Sequence, residues 1–320
     1  MLMRRRNFLT GAGAALLAGP ARAAAGAGAT TSVGGPAFGS YWRCVLPISA
    51  DAEAVTRIST TLIAALDAEL SPWRDDSPLS ALNRAGAGGW RSVGAATLAC
   101  LSEAEAVRLL TQGGFDARVG PLVARYGFGR IDGAIAHEGR FELREGAVRK
   151  SHADLTFDPC GLAKGHALDL MVARIADFGI AHALVEIGGE VATLGHHPAN
   201  RPWRVAIERP GAARATALRV VAPGQMALAT SAHAPQGLRG QAETSHVIDP
   251  RARRPAAQGL SQVSVLAPTG LRADALATGL LALGPNNGPR VARAASIAAL
   301  FVHSSGSKTT TGGLETHLIG

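Results

Sequence analysis

Residues 158–165 read DPCGLAKG, and residues 272–278, more than a hundred positions further along the chain, read RADALAT. In the second segment Asp274 and Thr278 stand four residues apart in a helical apolar pattern, so both side chains project from one helix face. Such hard oxygen ligands suit magnesium. In the first segment two glycines bracket Lys164, which allows close backbone approach while the ammonium reaches a phosphate as a point charge. Together the two segments predict one phosphate-and-metal site.

The spacing of apolar residues predicts where helices and strands lie. One helical stripe runs from Asp51, as its N-cap, to Leu70 before Pro72. Further helices are predicted over residues 95–110 and 163–178, and strands over residues 183–187, 191–194, 203–208, 217–221 and 262–267. Short links between the strands favour antiparallel pairing, and helices on both sides of a run of strands indicate an α+β fold. No break in composition marks a second domain.

The first 23 residues are typical of a Tat-type signal peptide. Arg4 to Arg6 precede Phe8-Leu9 and a short Ala/Leu/Gly run, and residues 21–23 offer a small-x-small cleavage site. The run is shorter than the roughly 20 apolar residues that span a bilayer, so stable membrane insertion is not expected. The sequence predicts export to the periplasm or the cell exterior; a basic tail without a targeting role is the alternative. Residues 24–37 are small and uncharged, and a flexible linker is predicted there.

Charge and cysteine content exclude some classes of function. Of the net charge of +8, four positive charges belong to arginines of residues 1–23, which leaves about +4 for the rest. Scattered arginines and a 4% aromatic content do not favour nucleic-acid binding, whereas a mild positive excess suits an anionic ligand such as a nucleotide. Cys44, Cys100 and Cys160 lack metal-binding spacing. Cys160 lies in the lysine segment, where a small apolar filler is favoured over a reactive thiol.

Several motifs, in order over nearly all the chain after residue 37, resemble the ApbE family, the FAD:protein FMN transferases. They are FGSYWR from 38, SPWRDDSPLSALNRAG from 71, GFDARVGPLVARYGFG from 114, DPCGLAKGHALD from 158, VEIGGEVATLG from 185, PWRVAIERP from 202, SHVIDPRARRP from 245 and APTGLRADALATGLLALG from 267. The resemblance implies one domain over residues 38–320, with mixed, largely antiparallel sheets packed by helices.

The resemblance implies a phosphoryl transfer that depends on Mg²⁺. FAD is split at its pyrophosphate, FMN passes to a threonine hydroxyl of a partner flavoprotein, and AMP leaves. The implied metal ligands are the side chains of Asp274 and Thr278 and the carbonyl of Gly161. Some relatives carry a second aspartate where this chain has Ala277, which leaves open whether one or two ions bind. For Asp274 the alternative is a solvated residue at a helix start.

The resemblance also implies a set of FAD contacts. They are Phe38, Trp73, Gly114, Phe115, Asp116, Asp158, Lys164, Ser231 and Ile248. Aromatic rings enclose a flat heterocycle, carboxylates accept hydrogen bonds from ring or sugar groups, and a lysine binds phosphate. Phe38 and Trp73 replace a methionine and a tyrosine but keep an apolar face. The alternatives are a plug between loop and core for Trp73, and an N-cap or turn residue for Asp116.

His246 is the candidate for taking the proton of the acceptor threonine. Asp249, three residues later, is placed to orient or charge it. The alternative is a core histidine hydrogen-bonded to backbone. Ser231 matches a family serine near the flavin, but residues 232–240 lack the two aromatic residues that relatives usually carry there. Gly188-Gly189-Glu190 is most simply explained as a hairpin turn, so Glu190 is not predicted in the site.

Three functions fit these residues: transfer of FMN to a partner protein, Mg²⁺-dependent FAD pyrophosphatase activity that yields FMN and AMP, and FAD binding without catalysis. The combined metal and lysine set favours transfer, since holding FAD does not require a cation at the pyrophosphate. Hydrolysis would use the same site with water in place of the threonine, so the two enzymatic hypotheses differ by acceptor.

Overall fold

The computed structural model describes residues 28–135, 138–212, 214–233 and 245–319; the predicted signal peptide lies outside these ranges. The helices are α1 (Ala52–Leu70), α2 (Pro78–Arg84), α3 (Ala95–Leu110), α4 (Gly120–Arg125), α5 (Ala163–Asp177), α6 (Gly270–Ala282) and α7 (Gly284–Ala294). The strands are β1 (Thr30–Ala37), β2 (Ser40–Pro47), β3 (Trp90–Ser92), β4 (Phe141–Arg144), β5 (Ala147–Lys150), β6 (Ala183–Ile187), β7 (Glu190–Leu194), β8 (Val205–Glu208), β9 (Ala217–Val221), β10 (Ala227–Ala232), β11 (Ile248–Asp249), β12 (Arg254–Pro255), β13 (Leu260–Ala267), β14 (Ala298–His303), β15 (Lys308–Thr311) and β16 (Leu318–Ile319). A single 3₁₀ turn in the described chain covers Leu314–His317.

An eight-stranded sheet forms the centre of the fold, in the order β1-β2-β6-β7-β10-β13-β14-β15. Its neighbouring strands are antiparallel. Smaller sheets have the orders β16-β9-β8, β3-β5-β4 and β11-β12, and their pairs are antiparallel too. The α+β class is therefore confirmed, while the sheets described here are antiparallel rather than mixed.

The two faces of the central sheet are covered by different layers. Alternate residues of β14 point to opposite faces, as the strand period requires: Ala299 and Phe301 join the larger apolar cluster with the helices, whereas Leu300 and Val302 join a second cluster. That second cluster includes Trp203 and side chains of β8 and β9. The order of layers is helices, central sheet and the three-stranded β16-β9-β8 sheet.

Side-chain caps explain where α1 and α6 begin. Asp51 caps α1 by accepting a 2.9 Å hydrogen bond from the amide of Ala54, as predicted. The amides at the start of α6 are capped from α5: Asp169 accepts from Gly270 at 2.6 Å and from Leu271 at 2.9 Å. This cap fixes the start of α6 against α5.

Two glycines allow α5 and α6 to touch backbone to backbone. A Cβ at Gly270 would lie 2.6 Å from the carbonyl oxygen of Gly165, and a Cβ at Gly165 would overlap the carbonyl of Gly270. Real Cβ atoms do not approach other atoms so closely, so only glycine fits at this crossing. The crossing brings the DPCGLAKG and RADALAT segments together.

The predicted flexible linker over residues 24–37 is wrong for its larger part. Residues 30–37 form β1, which pairs with β2 along its whole length, from Thr30 opposite Pro47 to Ala37 opposite Ser40. Composition missed this strand because its residues are small, and strand pairing supplies the order that side-chain size does not. The folded domain therefore begins before Phe38.

None of the helices in the described ranges is long and apolar enough to cross a bilayer.

Candidate active site

The two segments predicted to share a site lie next to each other. Asp274 is on α6 and only 3% exposed, and its Oδ2 accepts a 3.2 Å hydrogen bond from the amide of Gly165 in the first turn of α5. The predicted alternative for Asp274, a solvated position at a helix start, is wrong because the carboxylate is buried. Lys164, the neighbour of Gly165, is thereby placed close to Asp274.

Thr278 lies one turn beyond Asp274 and faces the loop that precedes α5. A Cβ on Gly161 would lie 3.2 Å from its Oγ1, so the backbone of Gly161 passes directly beside the hydroxyl. Gly161 has φ +93°, a conformation in which a side chain would be strained. Ser231 on β10 places its Oγ 3.0 Å from the same Oγ1. Thr278, Gly161 and Ser231 are thus brought together as predicted.

The oxygen atoms at this place fit a hard divalent cation. Asp274 supplies one carboxylate and Thr278 one hydroxyl, with the backbone of Gly161 against them. Magnesium takes oxygen ligands and keeps waters or phosphate oxygens in its remaining positions, so a single carboxylate is enough for a site shared with a diphosphate. In the described ranges no group of three or more His, Cys, Asp and Glu side chains is placed to hold a metal. The arrangement therefore suits a cation that arrives with its phosphate ligand.

Glu190 is a site residue that the sequence did not reveal. Its Oε1 accepts a 2.6 Å ion-paired hydrogen bond from Nζ of Lys164, and the side chain of Glu190 is 2% exposed. The predicted hairpin turn is present, since Gly188 and Gly189 link β6 to β7, but Glu190 is the first residue of β7 and points into the site. The available signal was an acid placed directly after Gly-Gly and before an apolar strand pattern, because such a residue needs a cationic partner once it is buried.

The charges of this cluster act on one another. Burial alone would lower the pKa of Lys164, but the carboxylates of Glu190 and Asp274 outweigh it and raise the pKa, so the lysine is charged at neutral pH. Burial raises the pKa of Glu190 and of Asp274, and the Lys164 ammonium opposes the rise in both. The Lys164 ammonium thus interacts with both buried carboxylates, those of Glu190 and Asp274.

His246 lies within the electrostatic reach of Lys164. Burial lowers the pKa of its imidazole, and the positive charge of Lys164 lowers it further, so the ring is neutral at pH 7. Its Nδ1 is buried without a hydrogen-bond partner, which contradicts the alternative of a core histidine bonded to backbone through this atom. The ring packs edge-on against Phe128 with centroids 6.1 Å apart.

Asp249 does not hold His246 as predicted. Its Oδ1 accepts from the amides of Arg251 at 3.0 Å and Ala252 at 3.2 Å, while Nδ1 of His246 has no partner. An aspartate that accepts from amides two and three residues on stabilises its own turn. Asp249 therefore shapes the β11–β12 hairpin, in which Ile248 is buried opposite Pro255.

A second histidine, His233, was not predicted. It is buried at the end of β10, and its Nδ1 lies 2.6 Å from Oγ of Ser245, the residue before His246. Burial and the charge of His246 lower the pKa of His233 to about 4. His233 and Ser245 therefore brace the backbone that presents His246.

Phe38 is partly exposed and Trp73 is exposed, so both rings can be reached by a ligand. Phe38 (φ 48°) and Gly39 (φ 74°) form the tight turn between β1 and β2. The following Ser40 lies beside Gly188 and Lys164. Trp73 is 57% exposed, so the alternative of a plug into the core is wrong. Its carbonyl accepts from Arg130 at 2.9 Å, near the segment that carries Phe128.

Two further predicted FAD contacts, Phe115 and Gly114, pack against Gly161 and α6. Phe115 is buried, and its ring backs Gly161, where a Cβ would lie 3.4 Å from Cε2. The adjacent Gly114 packs against α6, where a Cβ would lie 2.9 Å from the carbonyl of Gly279. The ring of Phe115 is therefore not free to stack on a flavin, contrary to the simplest form of the prediction.

Asp116 and Asp158 each stabilise a turn by accepting a hydrogen bond from a backbone amide two residues further on. Asp116 accepts from the amide of Arg118 at 2.9 Å and pairs with its guanidinium at 2.6 Å, which agrees with the turn alternative. Asp158 is buried, accepts from the amide of Cys160 at 2.9 Å and donates its own amide to Ala117. These contacts fix the loop that holds Gly161.

Cys160 is exposed rather than a small apolar filler, so that interpretation is wrong. Its amide donates a 2.9 Å hydrogen bond to Asp158, and its thiol interacts with the same carboxylate. Cys44 and Cys100 are buried.

Comparison with known proteins agrees with this geometry. The model of the ApbE family matches residues 38–301. The chain belongs to the ApbE family. A protein of Vibrio cholerae named FAD:protein FMN transferase is 31% identical over 290 residues, which cover 84% of this chain and 86% of the relative. A protein of the same name from Escherichia coli is 30% identical, with 88% and 86% covered.

Solved structures of the family show the same fold. The flavin transferase ApbE from Vibrio cholerae superposes with a TM-score of 0.78 at 29% identity, covering 91% of this chain and 100% of that one. The apo flavinyl transferase ApbE of Pseudomonas stutzeri gives 0.79 at 28% identity, covering 91% and 98%.

Proposed function

We propose that this protein is an FAD:protein FMN transferase that uses Mg²⁺ to move FMN from FAD to a threonine hydroxyl of a partner flavoprotein, with release of AMP. The observation that supports the proposal is the α5–α6 crossing, where the amide of Gly165, the neighbour of Lys164, donates a hydrogen bond to Asp274. The names of the family members support the reaction type.

Different residues of the site have different roles in phosphoryl transfer. Lys164 binds the diphosphate of FAD as a fixed positive charge. Asp274, Thr278 and the carbonyl of Gly161 would hold Mg²⁺, which neutralises charge on the diphosphate when bound. Phe38 and Trp73 supply apolar faces for the ring systems of the dinucleotide.

His246 takes the proton of the acceptor. The threonine oxygen forms a bond to the phosphorus of the FMN half, and the bond from that phosphorus to the bridging oxygen breaks. The electron pair stays on the phosphate oxygen of departing AMP, and the threonine proton passes to the imidazole. A neutral imidazole is required at the start, and burial together with the Lys164 charge maintains it.

The decisive experiment incubates the protein with FAD, Mg²⁺ and an acceptor domain that carries a threonine target, and measures AMP and protein-bound flavin together. Equal amounts of AMP and bound flavin support transfer. AMP with free FMN would instead support the pyrophosphatase, and FAD binding without AMP would support a holding protein. Asp274→Asn is the matched control, which we expect to bind FAD weakly and to release no AMP.

Export through a Tat-type signal is a second part of this proposal. The order of basic, apolar and small residues in residues 1–23 supports it. Fused to a reporter that is active only outside the cytoplasm, these residues should direct export, and replacement of Arg4, Arg5 and Arg6 by lysine should abolish it. Unchanged export of the lysine variant would contradict a twin-arginine signal.

A further inference from the structure

A part-buried ion pair between Lys164 and Glu190 joins the helix layer to the central sheet. Nζ of Lys164 lies 2.6 Å from Oε1 of Glu190. The aliphatic part of the lysine passes over the β6–β7 turn, where a Cβ on Gly188 would lie 3.1 Å from Cδ of Lys164. Gly188 therefore leaves room for the lysine to extend to Glu190.

Two buried carboxylates compete for this one ammonium. Asp274 is 3% exposed and interacts electrostatically with Lys164, yet its hydrogen bond in the site comes from the amide of Gly165 at 3.2 Å. Glu190 takes the direct ion pair instead. If Lys164 turned to Asp274, the ammonium would occupy the carboxylate that a cation needs, because the two positive species cannot share it closely.

The incomplete bonding of Glu190 is not what a purely structural ion pair shows. Its Oε2 is buried without a hydrogen-bond partner. Buried ion pairs stabilise a fold only when their remaining lone pairs are satisfied, and apolar residues of similar volume serve equally well otherwise. Since Glu190 is 2% exposed, it also has no surface to offer a nucleotide. The contact through which Glu190 acts in this structure is its ion pair with Lys164.

We propose that Glu190 is a positioning residue that holds the Lys164 ammonium away from Asp274, so that the Asp274 carboxylate stays available to a divalent cation. This inference rests on the proposed function, in which Asp274 is a cation ligand. In the direct ion pair Glu190 is ionised, so the three groups carry one net negative charge, which also favours a cation. Loss of the Glu190 charge would leave Lys164 and Asp274 as partners and remove that net charge.

The test measures binding of Mn²⁺, a spectroscopic substitute for Mg²⁺, to the purified protein by electron paramagnetic resonance of the free ion. Asp274→Asn identifies the site-specific signal. Glu190→Gln keeps the shape of the side chain and should weaken Mn²⁺ binding about tenfold, since a charge-assisted contact becomes a neutral one. Glu53→Gln, which removes an exposed partner of Arg57 on α1, is the matched control and should change nothing.

A double variant separates positioning from direct ligation. Lys164→Met removes the competing ammonium, so Lys164→Met with Glu190→Gln should regain Mn²⁺ affinity to within about threefold of the original protein, because Asp274 is again free and the net charge is again negative one. A double variant that stays as weak as Glu190→Gln would overturn the inference, because Glu190 would then be a ligand itself. Equal Mn²⁺ binding by Glu190→Gln and the original protein would also overturn it.

Two further results keep the outcomes distinct. If Asp274→Asn binds Mn²⁺ as well as the original protein, the cation site of the proposed function is wrong, and this inference falls with it. If Glu190→Gln loses its cooperative thermal transition, Mn²⁺ binding is measured on Glu190→Asp instead. The aspartate keeps the charge with a shorter reach, so we expect a weakening smaller than tenfold, and none at all would overturn the inference. In variants that fold, the Mg²⁺ concentration needed for half-maximal quenching of FAD fluorescence should rise in parallel with the Mn²⁺ dissociation constant.

Discussion

Single residues decide how charge is arranged around the ligand. Lys164 is ion-paired with Glu190, interacts electrostatically with Asp274 and packs its aliphatic chain against Gly188. The positive charge of Lys164 also lowers the pKa of His246, which helps to keep its imidazole neutral. A change at any of these positions therefore alters more than one function of the site.

Replacement of His246 by glutamine should lower FMN transfer on the order of 10²- to 10⁴-fold with FAD affinity nearly unchanged, since general-base catalysis contributes that much. Initial rates of acceptor labelling and FAD fluorescence quenching measure the two effects. His152→Gln is the control, because His152 is exposed. Because the pKa of His246 is lowered, the loss of rate on acidification should come at a lower pH than for an ordinary histidine. Full transfer by the glutamine variant would exclude the assigned role.

The stability of the protein should fall as the pH drops from about 6.5 to about 4 because of His233, whose pKa is lowered from 6.5 to about 4 in the folded state. The unfolded state takes up the proton first, so the stabilisation is complete above pH 6.5 and is lost toward pH 4, by up to roughly 3 kcal/mol. His233→Gln should flatten this part of the curve in urea unfolding at several pH values. The same acid loss in both proteins would show that other groups cause it.

At the residue scale the sequence predicted which residues lie together better than it predicted the contacts that support them. Asp274, Thr278 and Lys164 stand in motifs with helical or glycine-flanked spacing, which the sequence shows directly. Glu190 was missed because a Gly-Gly pair explains a hairpin whether or not the next residue is functional. Asp249 was misassigned because proximity in sequence does not show that its oxygen accepts from the amides of its own turn.

At the scale of elements, the crossing of α5 and α6 at Gly165 and Gly270 sets the distance between the two halves of the site. Helices α1, α3 and α5 began and ended within about a residue of prediction, since caps and apolar stripes are local signals. The crossing itself depends on contacts between residues far apart in sequence. Periodicity gives no information on such contacts.

Gly165→Ala should destabilise the protein by at least about 2 kcal/mol and lower its Tm by on the order of 5 °C, because the new methyl group overlaps the carbonyl of Gly270. Differential scanning calorimetry measures the effect. Gly86→Ala is the matched control, since a Cβ there meets nothing within 4 Å and its φ is not in the left-handed region, so its Tm should not fall. A Gly165→Ala protein as stable as the control would disprove the backbone contact.

At the scale of the whole molecule, an eight-stranded antiparallel sheet separates the helix layer from the small sheet. The α+β class followed from helices before and after a run of strands. The strand order did not, because pairs such as β2–β6 and β7–β10 join segments far apart in the chain. The first strand, β1, was taken for a linker because its residues are small, although its partner β2 follows it directly.

A chain that begins at Ala24 should fold normally, whereas one that begins at Phe38 should lose its cooperative thermal transition or precipitate. The second lacks β1, so β2 loses a partner of eight residues and becomes an exposed edge. Circular dichroism during heating and the soluble fraction after expression distinguish the two chains. If both melt at the same temperature, residues 30–37 contribute nothing to the fold.

The three-stranded sheet of β8, β9 and β16 covers the side of the molecule that faces away from Lys164 and Asp274. A tether attached to the β8–β9 hairpin would therefore leave the opposite side open to solution. Beads carrying the protein in that orientation could label successive batches of an acceptor and be recovered by filtration.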